Sequence, residues 1–201
     1  MCSYETTNNA ELMFFTDKCR QYRVKASEFE NTKASAMGEF VPAKLGMETG
    51  ERPVFMRVQP QYPEDEHVIF LFENGKGVRV PLSAYETKAV RRKLQGAYSD
   101  ASPLVAVFYE EKDKPVDIMM VNSADRAIVF KSSLIPIKAT RTAGGVSLMT
   151  LKKDQRVISA SLLADKQDDK GYRKLKLPAT GTLLADKDIK NLQLKFDTGE
   201  E

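Results

Sequence analysis

Three stretches of the 201-residue chain align without internal gaps, and no other feature constrains the fold as tightly. The first runs Leu12-Met13-Phe14-Phe15-Thr16, Asp17-Lys18-Cys19, Arg20-Gln21-Tyr22-Arg23-Val24-Lys25. The second is Val68-Ile69-Phe70-Leu71-Phe72, Glu73-Asn74-Gly75, Lys76-Gly77-Val78-Arg79-Val80-Pro81, and the third Ile118-Met119-Met120-Val121-Asn122, Ser123-Ala124-Asp125, Arg126-Ala127-Ile128-Val129-Phe130-Lys131. Each copy joins a five-residue, almost wholly apolar run to a short polar turn and an alternating run. That is the pattern of a buried strand, a hairpin loop and a half-exposed strand. Asn74-Gly75 is the clearest turn signal, because glycine takes a positive φ there without steric cost.

The copies start 56 and 50 residues apart, a propeller-blade period. A second element recurs: Gly38 stands seven residues before Leu45, and Gly144 seven before Leu151. Each is followed by an acidic turn and a further strand, Val54–Val58 and Val157–Ala160. The middle copy has Arg91-Arg92-Lys93-Leu94-Gln95-Gly96 instead, then the apolar strand Leu104–Tyr109. Each unit thus supplies about four strands, or one blade. The expected fold is all-β, a propeller-like arrangement of about three four-stranded blades, open or closed, with blades near 10–60, 65–112 and 115–165. Residues 1–9 read as a leader or linker, and 166–201 as a partly ordered tail on the last blade, with a closing strand at Leu192–Phe196. Helical turns are expected only at Thr87–Gln95 and Ala185–Asn191.

Catalytic readings fail early. The sole histidine, His67, precedes a strand without a ligand set around it and reads as a surface or structural residue. Two cysteines and one histidine cannot build an ordinary zinc site, and no phosphate-cradle loop, dinucleotide fingerprint or nucleophile elbow occurs. No metal or cofactor is expected. Cys2 and Cys19 read as free thiols of a reducing cytoplasm, and no apolar run approaches the roughly 18 residues of a membrane span.

The net charge of +3 is too small to decide on partners, so charge placement must decide. Arg20, Lys76 and Arg126 all occupy the first position after the turn. Arg23 and Arg79 match three positions later, Lys25 and Lys131 five positions later. A basic residue repeated at a fixed place around a curved body suits duplex phosphates, which attract cations without regard to sequence. The same spacing also fits solubilising charges on exposed strand edges. From spacing alone both readings stand.

The stretch Leu12–Lys25 resembles the blade motif of the C-terminal domain found in the bacterial DNA gyrase A protein and its topoisomerase IV counterpart. In that motif an apolar strand ends in Phe-Thr, and a basic strand follows with Tyr-Arg and Lys. Arg141-Thr142-Ala143-Gly144-Gly145-Val146 through Leu151 and Asp154 resembles the family's Gly-Val loop and acidic turn. The resemblance covers roughly residues 10–165. It implies a β-pinwheel whose basic rim binds and bends double-stranded DNA, with Arg20, Arg23, Lys25, Lys76, Arg79, Arg126, Lys131 and Arg141 as phosphate contacts. It implies a non-catalytic domain of a cytoplasmic, nucleoid-associated type IIA topoisomerase. Its partners would be the ATPase B subunit together with the rest of the topoisomerase A subunit. Three blades fall short of the family's five or six, and the glutamine-arginine-glycine box of gyrase is absent, which favours a topoisomerase IV-like or divergent parent. The competing reading is a protein-interaction propeller with no nucleic-acid role, docking through the Pro60–Pro63 linker and the 166–201 tail.

Overall fold

The computed structural model describes residues 4–33, 35–59, 61–87, 92–163, 169 and 171–185. In the first unit β1 (Glu11–Thr16), β2 (Arg20–Lys25), the short helix α1 (Val41–Leu45) and β3 (Pro53–Val58) follow in order. The second unit holds β4 (His67–Phe72), β5 (Lys76–Pro81), β6 (Lys93–Gln95) and β7 (Leu104–Glu110). The third holds β8 (Asp117–Asn122), β9 (Arg126–Lys131), β10 (Val146–Ser147) and β11 (Val157–Leu162), and β12 (Thr182–Leu183) lies in the tail. They form three four-stranded antiparallel sheets, ordered β3-β1-β2-β6, β10-β5-β4-β7 and β11-β8-β9-β12. The all-β, blade-like reading stands.

The origin of the fourth strand differs from the expectation that each unit builds its own blade. β6 pairs with β2, β10 with β5, and β12 with β9, so the outer strand always comes from chain further downstream. The second strand of each hairpin leaves an edge whose amides and carbonyls need partners. Its own unit turns away through a 3-10 turn and returns to pair with the first strand, leaving that edge for the next segment. One bond repeats where the donated strand ends: Ala97 N–H to Cys19 O, Leu148 N–H to Gly75 O and Leu184 N–H to Asp125 O, at 2.9, 2.9 and 2.8 Å. The accepting turn residue is left-handed each time, with φ of 54°, 74° and 51°.

Of the expected helical turn at Thr87–Gln95, the described end is strand β6. Residues 88–91, the segment after Ala185 and the closing strand at Leu192–Phe196 lie outside the described residues. The helix α1 was not expected. It occupies the place where the third unit runs Ser147 to Leu151, and it carries Pro42 where Leu148 supplies the locking amide. Proline has no N–H to give, so this stretch turns helical and ends on left-handed Gly46.

The apolar runs do not alternate because their strands are buried on both faces. All six residues of β4 are buried. Val68, Phe70 and Phe72 pack with Met13 and Phe15 of the first blade, while Ile69 and Leu71 pack with Ile118, Met120 and Phe130 of the third. Phe70 stacks on Tyr98 with centroids 4.9 Å apart and meets Phe15 edge-on at 5.2 Å. The outer faces of the end blades are covered by other chain. Leu45 of α1 with Phe29 and Met47 packs over Phe14, Tyr22 and Val24, and Tyr172 and Leu184 of the tail pack over Met119, Val121 and Val129.

Phe70→Ala should destabilise the protein by about 3–5 kcal/mol, the usual cost of emptying an aromatic core site. Denaturant unfolding would measure it, and a loss below about 1 kcal/mol would refute the blade-on-blade core. Gly75→Ala should cost about 1–3 kcal/mol, since φ is +74° and the new Cβ would meet the Met149 carbonyl at 2.6 Å. A neutral substitution there would show that the turn is not locked as described.

Candidate nucleic-acid interface

The eight basic residues singled out by register and resemblance fall into two groups. The five arginines are engaged. Arg20 reaches Glu51 and Glu48, both at 2.8 Å. Arg23 is buried against Glu11, Thr87 and the Tyr62 ring. Arg79 pairs with buried Glu110 beside His67, Arg126 donates to the Gly181 carbonyl at 2.7 Å, and Arg141 donates to Ala84 O at 2.5 Å. The three lysines, Lys25, Lys76 and Lys131, are exposed and hold no ion pair among the described residues.

The lysines do not share one edge. Lys76 opens β5 at the turn end, whereas Lys25 and Lys131 close β2 and β9 at the opposite end. Five strand steps separate the ends, about 17 Å. The turn end gains cations that the sequence register did not reveal. Lys152 and Lys153 sit in a tight turn closed by Gln155 N–H to Lys152 O, and this turn follows Leu151, which lies against Gly75. Arg156 exchanges bonds with Ser123 of the third turn, and its neighbour Val157 donates to Glu73 O of the second. Lys76, Lys152, Lys153 and Arg156 therefore converge where the second and third blades meet, all exposed and none in an ion pair among the described residues.

The first blade repeats part of this arrangement. Asp17 N–H bonds Arg52 O as Ser123 N–H bonds Arg156 O, so Arg52 and Arg156 are structural equivalents. They stand 40 and 38 residues after their copies begin, so a gapless register cannot pair them. A two-residue difference in loop length hid the correspondence. Exposed Arg52 is tied to Asp17 at 3.3 Å, which makes the first turn less positive than the third.

Buried polar groups hold the turn ends. Glu51 accepts from Thr16 at 2.6 Å, Tyr22 at 3.0 Å, Arg20, and the Glu48 amide. Burial raises its carboxyl, but these donors outweigh burial and hold it below the usual carboxylate range. The third blade uses Asn122, whose Oδ1 accepts the Ala124 and Arg126 amides. His67 proves structural, not superficial: it is buried 3.3 Å from Glu110. Burial, and then the charge of Arg79, lowers its pKa below the ordinary value. Cys19 is a free thiol whose pKa burial raises, which disfavours thiolate chemistry; Cys2 lies outside the described residues.

In both Glu51 and His67 the folded state binds its proton more weakly than the unfolded chain, so each supports the fold above its unfolded pKa and loses that support on acidification. Stability should fall in two stages, first below about pH 6.5 and again below about pH 4.5. Unfolding midpoints of the wild type and His67→Gln between pH 7.5 and 3.5 would check this. The variant should lack the first stage, and a wild type flat from 7 to 5 would exclude the His67 contribution.

The blade arrangement matches solved domains. The C-terminal domain of DNA topoisomerase IV superposes with a TM-score of 0.67 at 22% identity, over 79% of this chain and 49% of that one. The E. coli ParC C-terminal domain gives 0.65 at 14% identity, over 90% and 79%. These likenesses define the class: a β-propeller of the pinwheel type. In sequence, the family described as DNA gyrase C-terminal domain, beta-propeller, matches residues 10–40 and 117–164, which take in the first and third copies. The DNA gyrase A protein of Kosmotoga olearia is 26% identical over 168 residues, 79% of this chain. The chloroplastic/mitochondrial DNA gyrase A protein of Arabidopsis thaliana is 28% identical over 158 residues, 74% of this chain. The chain spans only 19% and 16% of those relatives. The resemblance read from Leu12–Lys25 is thereby borne out: the chain is similar to the gyrase A and topoisomerase IV C-terminal domains. Among the described residues no helix is long and apolar enough to cross a membrane, and no group of three or more histidine, cysteine or acidic residues could hold a metal ion.

Proposed function

We propose that this chain is a DNA-binding and DNA-bending module, without chemistry of its own, that works within the A subunit of a type IIA topoisomerase. The observation that carries this reading is the group of exposed cations, Lys76, Lys152, Lys153 and Arg156, at the turn end of the second and third blades, none of them paired with a described carboxylate. Cations free of carboxylates release condensed counterions when they meet phosphates, and they lose little prior pairing in doing so. The arginines from the sequence register and the resemblance are already committed to partners inside the fold, Arg20 and Arg126 at the turn ends and Arg23, Arg79 and Arg141 away from them. Lys18 and Arg52 extend the path over the first blade, and Lys25 and Lys131 at the far end lie off it.

The opposite end of the middle blade supports the same orientation. It carries Glu64, Asp65, Glu66, Glu110, Glu111 and Asp113 beside Arg57, Arg79, Lys112, Lys114 and Lys138, so carboxylates accompany its cations and it offers phosphates less than the turn end does. A duplex crossing three blades on one edge follows a curved support, which favours bending. In a longer topoisomerase polypeptide the module would hold a DNA segment for a separate strand-passage core and act beside an ATPase B subunit, in the cytoplasm and on the nucleoid.

Fluorescence anisotropy with two unrelated duplexes of equal length should give equal affinities that fall steeply with salt. Replacing Lys76, Lys152, Lys153 and Arg156 by alanine should flatten the log Kd against log salt slope by about 0.9 for each lost phosphate contact. The Lys25→Ala/Lys131→Ala pair should leave the slope close to wild type. A quadruple variant that binds as wild type would place the interface elsewhere.

A further inference from the structure

At the end of the middle blade remote from the turn, a cavity of about 530 Å³ opens beside the buried His67 and Glu110 and the partly buried Arg79. Its ionic partners are unevenly spent. Both of its cations are neutralised, Arg79 by Glu110 Oε1 and Lys114 by Glu111 at 2.6 Å. Of its carboxylates, Asp65 is held by Lys112, also at 2.6 Å. Glu64 and Asp113 hold no ion pair or side-chain hydrogen bond among the described residues. Glu110, 2% exposed, keeps its Oε2 buried without a partner, and so does His67, 4% exposed, with its Nε2.

The charged groups left uncommitted on this wall are the carboxylates; beside them stand two nitrogens without described partners, Arg79 Nε, a donor, and His67 Nε2, whose role follows the ring tautomer. A buried carboxylate oxygen without a donor costs free energy that a charged N–H group would recover. Part of the rim is apolar, formed by Pro115 and the half-exposed Ile137. Such a rim suits methylene groups that lead to a charged head. We propose that the cavity binds an organic cation, an alkylammonium or alkylguanidinium group, with its head between Glu64, Asp113 and Glu110 and its stem along Pro115 and Ile137. The site lies about one strand length from the cationic turn end, and it does not depend on DNA binding.

His67 is the single histidine of the chain, so its ring Cε1–H resonance reports on this cavity alone. The whole chain at constant pH 7.5 would be titrated with putrescine, and separately with arginine blocked at both backbone ends. Sodium chloride at matched ionic strength serves as control. Binding predicts a saturable shift of that resonance, absent with salt. Saturation by both probes marks a general amine site, and saturation by blocked arginine alone marks a site for a protein side chain. In Glu64→Gln/Asp113→Asn, two exposed substitutions without described native partners, the apparent Kd should rise at least fivefold at an unchanged unfolding midpoint. A shift that grows linearly, or an unaltered Kd in the double variant, would overturn the proposal.

Discussion

The stacking of one sheet against the next is the interaction on which the structure depends. A strand such as β4, buried at every position, has no face to offer solvent and must lie between two layers. The middle blade meets this demand with its neighbours: Phe70 and Val68 turn to one side, Ile69 and Leu71 to the other. The end blades carry the same kind of first strand, so each would leave an apolar face bare. α1 with its flanking residues and the Tyr172–Leu184 segment cover those faces. Repeat arrays solve the same problem with distinct terminal units, and here unlike segments of one chain do so. Among the described residues, both outer faces of the three-blade stack are thus covered by chain.

Strand donation adds a second constraint. Each blade is finished by chain from beyond its own hairpin, and the joint is a single amide bonded to the carbonyl of a left-handed turn residue. The geometry persists through changes of side chain: cysteine, glycine and aspartate occupy that position in turn. Glycine takes it freely, and aspartate is among the residues that tolerate it. At Cys19 the surroundings supply the support, because the Tyr98 hydroxyl accepts the Cys19 amide and donates to Thr16 O. A turn glycine is thus the simplest way to satisfy the joint, and its absence from two copies does not break the repeat.

The hairpins were legible because burial on both faces leaves an unmistakable mark, a continuous apolar run before a polar turn. Every first and second strand falls where the Leu12, Val68 and Ile118 registers place it. The donated strands β10 and β12 were not legible, since two residues give no periodicity and their partners lie over 60 and over 50 residues away. The cationic surface was legible only in part. Register selected positions by recurrence, yet recurrence on a strand next to a buried core selects arginines that serve the core. Arg20 and Arg79 recur because carboxylates at Glu51 and Glu110 need them. The free charges sit in loops of unequal length, where Arg156 and Arg52 correspond only in space.

Charge and architecture together set the direction of the domain. Strands about 17 Å long hold the turn ends and the opposite ends of a blade apart; the exposed cations Lys76, Lys152, Lys153 and Arg156 gather at one, and the unpaired carboxylates Glu64 and Asp113 at the other. At ordinary ionic strength the screening length is about 8–10 Å, so each end acts on its own surroundings and neither cancels the other. An acidic cavity persists in a protein of net charge +3 because the cations around it, Arg79, Lys112 and Lys114, are each matched by a carboxylate. Neither surface could have been inferred from the total charge, since what matters is which end of each strand the side chains leave from.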